Sequence, residues 1–177
     1  MPRRARQDLP TDYNHLMVHG FGEEKIFDTK LKKEKYINLI TAQNPGLIIY
    51  AYVIMDNHAH FLLCQAPKTI SPVMKSVNSS YSNWYKKTFD YKGKVFGGRF
   101  KTVPVLTDEH FYEILRYIHL NPYKEGLTDR GLNYPYSSFG EFYGNSSYNL
   151  VDEEFKQDIQ GSYKTEKDFL EFNMERF

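Results

Sequence analysis

Residues 47–65, LIIYAYVIMDNHAHFLLCQ, read as two strands and the turn between them. Leu47 to Met55 is an unbroken run rich in isoleucine, valine and tyrosine, the composition of a buried strand. Asp56-Asn57 supplies the turn, and His58 to Gln65 returns as its hairpin partner. Side chains alternate across a strand, so His58, His60 and Leu62 share one face while Ala59, Phe61 and Leu63 share the other. Two imidazoles on one face form half a metal site, or else a chance pair containing one hydrogen-bonded histidine. Asn57 reads as a turn residue in preference to a group that orients a ligand.

Working outward, Tyr13 to Val18 is a short first strand closed by a turn at Gly20 to Gly22. Thr29 to Ala42 carries apolar residues at helical spacing and is stopped by Asn44-Pro45-Gly46. Ser71 caps a helix that starts at Pro72 and runs to about Phe89. Phe100 to Leu106 forms a fourth strand, which Pro104 confines to a sheet edge. Thr107 caps a helix from Asp108 to about Leu120, with Pro122 as its stop. This order predicts an α+β fold: a ferredoxin-like (RRM-like) antiparallel sheet with helices on one face, plus an added C-terminal helix and tail. No glycine cluster leads from a strand into a helix, which removes the Rossmann and P-loop nucleotide sites. The segment NSSYN at 145–149 divides a domain over 1–144 from an acidic helical tail over 145–177. That tail has helical stretches around Glu154–Ile159 and Glu166–Met174.

The chain has 177 residues, 41% hydrophobic and 16% aromatic, enough apolar surface for one packed core. Its longest apolar run is too short to span a bilayer, and MPRRARQDLP lacks an apolar signal core. A lone Cys64 forms no intramolecular disulfide. Cytoplasmic residence and no membrane partner are expected. The net charge of +1 hides a division. Residues 66–101 carry eight cations against Asp90 alone, whereas residues 141–177 carry nine acids against four bases. The basic stretch includes Lys86, Lys87, Lys92, Lys94, Arg99 and Lys101, interleaved with Tyr81, Trp84, Tyr85, Tyr91 and Phe96. Cations for phosphates and rings for unstacked bases suit single-stranded nucleic acid, although a solvated helix face has the same composition.

In ILRYIHLNP, residues 114–122, Tyr117 and Asn121 are four apart and share a helix face, with Glu113 one turn before Tyr117. His119 lies off that face and reads as structural. His15 and His19 could form a second metal pair, but the Gly20 bend and the lack of nearby acids count against it. No serine sits in a nucleophile elbow, so acyl transfer by a serine triad has no support.

YVIMDNHAHFLL, residues 52–63, resembles the motif of the HUH single-tyrosine transposases, and especially their REP-associated tyrosine transposase group. The block FGGRFKTVPVLTDEHFYEILRYIHLNPYKEGL, 96–127, resembles the second signature of that family, and NYPYSSF, 133–139, the segment that follows it. The resemblance spans roughly residues 10 to 140. Departures are Asp56 where the family often has proline, Tyr123-Lys124-Glu125 for a more usual Val-Arg-Ala, and Tyr136 for a frequent tryptophan. None of these removes a catalytic group.

The resemblance implies a ferredoxin-like HUH domain in which His58 and His60 bind a divalent metal, Mg2+ or Mn2+, Asn121 is the third ligand, and Tyr117 is the nucleophile. It implies a metal-dependent strand transferase for single-stranded, hairpin-containing DNA, working through a 5′-phosphotyrosine intermediate. Independently of the resemblance, the basic helix from Ser71 to Phe89 with Lys86 and Lys87, and the Lys92 to Lys101 segment with Lys92, Lys94, Arg99 and Lys101, are expected to form a DNA-binding surface next to that site. The family includes dimers with shared active sites as well as monomers, which leaves a homodimer open. Two other classes compete: a non-catalytic single-stranded nucleic-acid-binding module, in which the histidines would have no role, and a phosphodiesterase using activated water, which would survive loss of Tyr117. The tail carries no motif residue and is expected to be dispensable for the chemical step.

Overall fold

The computed structural model describes residues 12–42, 47–65, 70–129 and 133–175. β1 (Tyr13–His19) leads to α1 (Lys30–Ala42), then β2 (Leu47–Ile54) and β3 (His58–Gln65) form the hairpin. α2 (Ile70–Phe89), β4 (Lys101–Pro104) and α3 (Asp108–Lys124) follow. A 3-10 turn at Ser138–Glu141 and two helices, α4 (Glu153–Ser162) and α5 (Glu166–Met174), close the chain. The strands pair antiparallel in the order β2-β3-β1-β4, the ferredoxin-like sheet expected from the element order. Among the described residues no helix is long and apolar enough to cross a membrane.

The two faces of the sheet do different work. Leu16, Val18, Ala59, Phe61 and Leu63 are buried, and Tyr36 of α1 packs on the Phe61 ring while meeting Tyr81 of α2 edge-on. Burying such residues is the main stabilising term of the fold, about 1.5–3 kcal/mol for each large apolar side chain. α3 lies on the opposite face, where Tyr117 meets His60 and Asn121 meets His58. α3 crosses β2 and β3, and on this face β4 stays open, with Val103 42% exposed.

Two helix boundaries differ from the sequence reading. α2 begins at Ile70, so Ser71 and Pro72 lie in its first turn, where the missing proline N–H is no loss. α3 does not stop before Pro122 but continues to Lys124. Only one N–H is lost, and the end is still closed by Glu125 N–H to the Asn121 carbonyl at 3.2 Å and Leu127 N–H to the Pro122 carbonyl at 2.8 Å. Asn121 is therefore held inside a helix, on the same face as Tyr117. The Asn44-Pro45-Gly46 stop of α1 lies outside the described residues.

Residues 145–175 add to the same core. Phe142, Phe169 and Phe172 are buried, with Phe139 stacked on Phe169 at 5.5 Å. Asp152 N–H bonds the Ile49 carbonyl at 2.8 Å, and Ile54 N–H bonds the Tyr136 carbonyl at 2.9 Å, so the outer edge of β2 is covered. Buried Glu141 joins the parts: one carboxylate oxygen accepts from Tyr52 Oη at 2.6 Å, the other from the backbone N–H groups of Leu150 and Val151, both at 2.9 Å.

Candidate active site

The β1–β3 register sets His19 opposite His58 and Met17 opposite His60, with Lys101 opposite Met17 on the far side of β1. Directly paired residues project from the same face. His15, His19, His58 and His60 thus form one cluster, with ring centroids 5.1 Å apart for His15–His60, 5.3 Å for the stacked His19–His58 pair and 5.0 Å for His58–His60. The Gly20 bend, which counts against a separate His15–His19 pair in the sequence, lies beyond the strand: β1 runs unbroken to His19, and its register carries both residues to His58 and His60.

Each histidine of the HAH segment has one nitrogen engaged. His58 Nδ1 lies 2.6 Å from Asn57 Oδ1, and since an amide oxygen only accepts, Nδ1 carries the proton. Asn57, read from sequence as a turn former, also orients the ring. His58 Nε2 is then a bare lone pair, 3.3 Å from Asn121 Oδ1. Two electron-pair donors facing each other need a bridging proton or cation. His60 Nδ1 lies 3.0 Å from His15 Nε2.

Burial pulls all four imidazoles below their usual range: His15 to about 4, and His60 to about 2 with help from the neighbouring histidines. For His58, burial outweighs the opposing contact with Asn121, and for His19 it acts together with repulsion from His58 and Lys101. At neutral pH the cluster is uncharged, the protonation state in which imidazole ligates metal.

Tyr117 is 38% exposed, unusual for a ring so well cornered. His60 meets it edge-on at 5.2 Å and His15 at 5.9 Å, while the Lys124 ammonium sits 5.2 Å from its centroid. The phenol thus stands at a solvent-open border of the cluster.

The sequence analogous region matched by a family model, that of the IS200-like transposases, is residues 11–121, more than half of the chain. The chain belongs to the IS200-like transposase family. Among solved structures, this transposase is similar to a REP-associated tyrosine transposase bound to a REP hairpin, at 15% identity, covering 86% of this chain and 94% of that one with a TM-score of 0.64. A candidate transposase from Deinococcus radiodurans aligns over 71% of this chain and 97% of its own at 14% identity, with a TM-score of 0.44. No curated protein matches the sequence with significance.

In this transposase the structure brings together His58, His60, Asn121 and Tyr117, with Lys101 on the same face two strands from β3. The other basic candidates are spread more widely. Lys86 and Lys87 end α2, on the other side of the sheet from Tyr117. Lys94 lies over the Phe21 ring at 5.5 Å. Its loop returns to the site edge, where Gly97 N–H bonds the His19 carbonyl at 3.1 Å, and Lys92 in the same loop is exposed. Arg99 faces a groove of about 510 Å³ lined also by Lys75, Asn78, Ser82 and Phe96. Glu113 is exposed. Asp56, which departs from the family pattern, is explained locally: its carboxylate takes the buried Lys33 ammonium at 2.7 Å and its carbonyl accepts from Phe27 N–H at 2.7 Å, bracing the β2–β3 turn. In the sequence His15 and His19 read only as a separate, disfavoured metal pair and Asn57 as a turn residue, while Lys124 enters only as part of a departure from the family pattern. The odd-numbered positions of β1 signalled the first two, but only the strand register brings them to His58 and His60.

Proposed function

We propose that this transposase cleaves and rejoins single-stranded, hairpin-containing DNA through a 5′-phosphotyrosine link on Tyr117. The observation that carries the reading is the solvent-open Tyr117 ring set edge-on to His60, one helical turn from an Asn121 oxygen that faces a bare His58 nitrogen. The similar solved transposase holds a REP hairpin, which supports hairpin DNA as the substrate class. Its place of action would be the cytoplasm.

The donor set suits a divalent cation such as Mg2+ or Mn2+. Among the described residues no three His, Cys, Asp or Glu side chains form a ligand group, so His58, His60 and the Asn121 amide oxygen would hold the ion, leaving positions for substrate oxygens. When bound, the ion would neutralise the nonbridging phosphate oxygens and stabilise charge on the leaving 3′-oxygen. The Tyr117 oxygen attacks the phosphorus, its proton passing to solvent. The bond to the 3′-oxygen breaks, and that oxygen takes up a proton as a free hydroxyl. A free phenol ionises only near about pH 10, so the attacking oxygen needs an assisting acceptor at neutral pH. Because the new P–O bond retains the phosphodiester energy, a 3′-hydroxyl from another strand can attack it, restore the phenol and rejoin DNA without ATP. Lys101 and the Lys92–Arg99 loop would hold phosphates at the site edge.

Incubation with labelled single-stranded hairpins and Mg2+ or Mn2+ should yield an SDS-resistant protein–DNA adduct that peptide mapping assigns to Tyr117. Cleavage that leaves both strand ends free and no adduct would overturn the reading in favour of a water-using phosphodiesterase.

A further inference from the structure

His15 has no part in the chemistry above, yet it touches both of its central residues. In the β1–β3 register it pairs with Leu62, which makes it a diagonal neighbour of His60 on the same face. Its Nε2 lies 3.0 Å from His60 Nδ1, with the rings inclined by 32°, and its edge faces Tyr117 at 5.9 Å.

The shared axis between two imidazoles holds one proton, which can sit on either nitrogen. If His15 Nε2 carries it, His60 accepts at Nδ1 and must keep its own proton on Nε2, closing that nitrogen to a cation. If His60 Nδ1 carries it, Nε2 is bare. The neighbouring histidine shows the same problem solved by a group with no choice: Asn57 Oδ1 can only accept, and it fixes the proton of His58 on Nδ1 at 2.6 Å. We propose that His15 is the positioning residue of His60, accepting a hydrogen bond from His60 Nδ1–H so that Nε2 is the nitrogen offered to a divalent cation. His15 then keeps its own proton on Nδ1. Asn57 and His15 form a matched pair of acceptors behind the two histidines of the HAH segment. The proposal rests on the reading that His58 and His60 hold the ion.

Orienting groups behind metal ligands typically contribute 10- to 100-fold in metal affinity. His15→Phe keeps a ring of similar size but removes the acceptor, whereas His15→Gln restores an acceptor oxygen. The test is Mn2+ binding to the full chain without DNA, followed by electron paramagnetic resonance, with thermal melting as a control. Expected are a 10- to 100-fold weaker affinity for His15→Phe at an unchanged melting temperature, and recovery of most of that loss by His15→Gln. Equal affinity of His15→Phe and the unaltered chain would overturn the proposal. If instead His58→Ala leaves Mn2+ affinity unchanged, the metal reading itself falls and carries this inference with it. Nitrogen-15 spectra of the unaltered, metal-free chain give an answer that needs no variant to fold: His60 should carry its proton on Nδ1, and a proton on Nε2 would overturn the assignment.

Discussion

α3 has a buried histidine on one side and a cluster of histidines on the other, and the two regions differ in how their nitrogen atoms are used. His119, fully buried against the C-terminal segment, places Nδ1 2.9 Å from Asn173 Oδ1 and Nε2 3.0 Å from the Ser138 hydroxyl. Phe139, Phe142 and Phe169 surround its ring edge-on. Both nitrogens have uncharged protein partners, and Asn173 is itself fixed by a 2.7 Å bond from Nδ2 to the Phe169 carbonyl. Across the helix, His58 has a bare Nε2 facing an amide oxygen, beside an open tyrosine. Burial is common to both sides. A complete set of partners marks the structural histidine, whereas a lone pair directed into a shared opening is the feature on which the proposed metal site rests.

The contrast predicts that the sheet side controls chemistry and the tail side controls stability. Tyr117→Phe removes one oxygen and almost no volume, so hairpin binding and melting temperature should hold while adduct formation falls by at least about a thousandfold. Cleavage near the unaltered rate would break the division outright. On the tail side, Phe169→Ala should cost about 3–5 kcal/mol in urea unfolding, with adduct formation per folded molecule preserved. Asn173→Ala strands the His119 Nδ1–H and should cost about 1–3 kcal/mol by the same measurement. A selective loss of cleavage in either tail variant, with stability intact, would show that the two sides are coupled. The smallest effect is expected from single cations. Lys101→Ala should lower the salt dependence of single-strand binding by about 0.7 log units per log of salt, the share of one phosphate contact. Lys86→Ala and Lys87→Ala, on the far side of the sheet, should change that slope less.

The strand that carries the site was legible because its signal is local. Period-two alternation between Asp56-Asn57 and Gln65 defines β3 with the bounds observed and places His58 and His60 together. The Tyr117–Asn121 spacing needs only a helix, and one proline near its end did not break it. The neighbourhood of His15 is not legible in its own strand, because it depends on how β1 registers against β3, which no single strand pattern states. The packing role of the tail is hidden in the sequence for a different reason. Its net charge describes the solvent face, while Phe155, Phe169 and Phe172 supply the face turned inward, and Asn173 provides the amide that His119 requires. Among the described residues none from the tail belongs to the candidate site, but the tail braces the helix that carries it.

The covering of β2 also bears on how copies of the chain can meet. With Tyr136 and Asp152 bonded along that margin, further pairing there would have to displace contacts within the molecule. The opposite margin belongs to β4, only four residues long and ended by Pro104, which has no N–H to give. Growth of the sheet from chain to chain is therefore disfavoured at both ends, and a protein rich in aromatic strands is protected from templating its own aggregation.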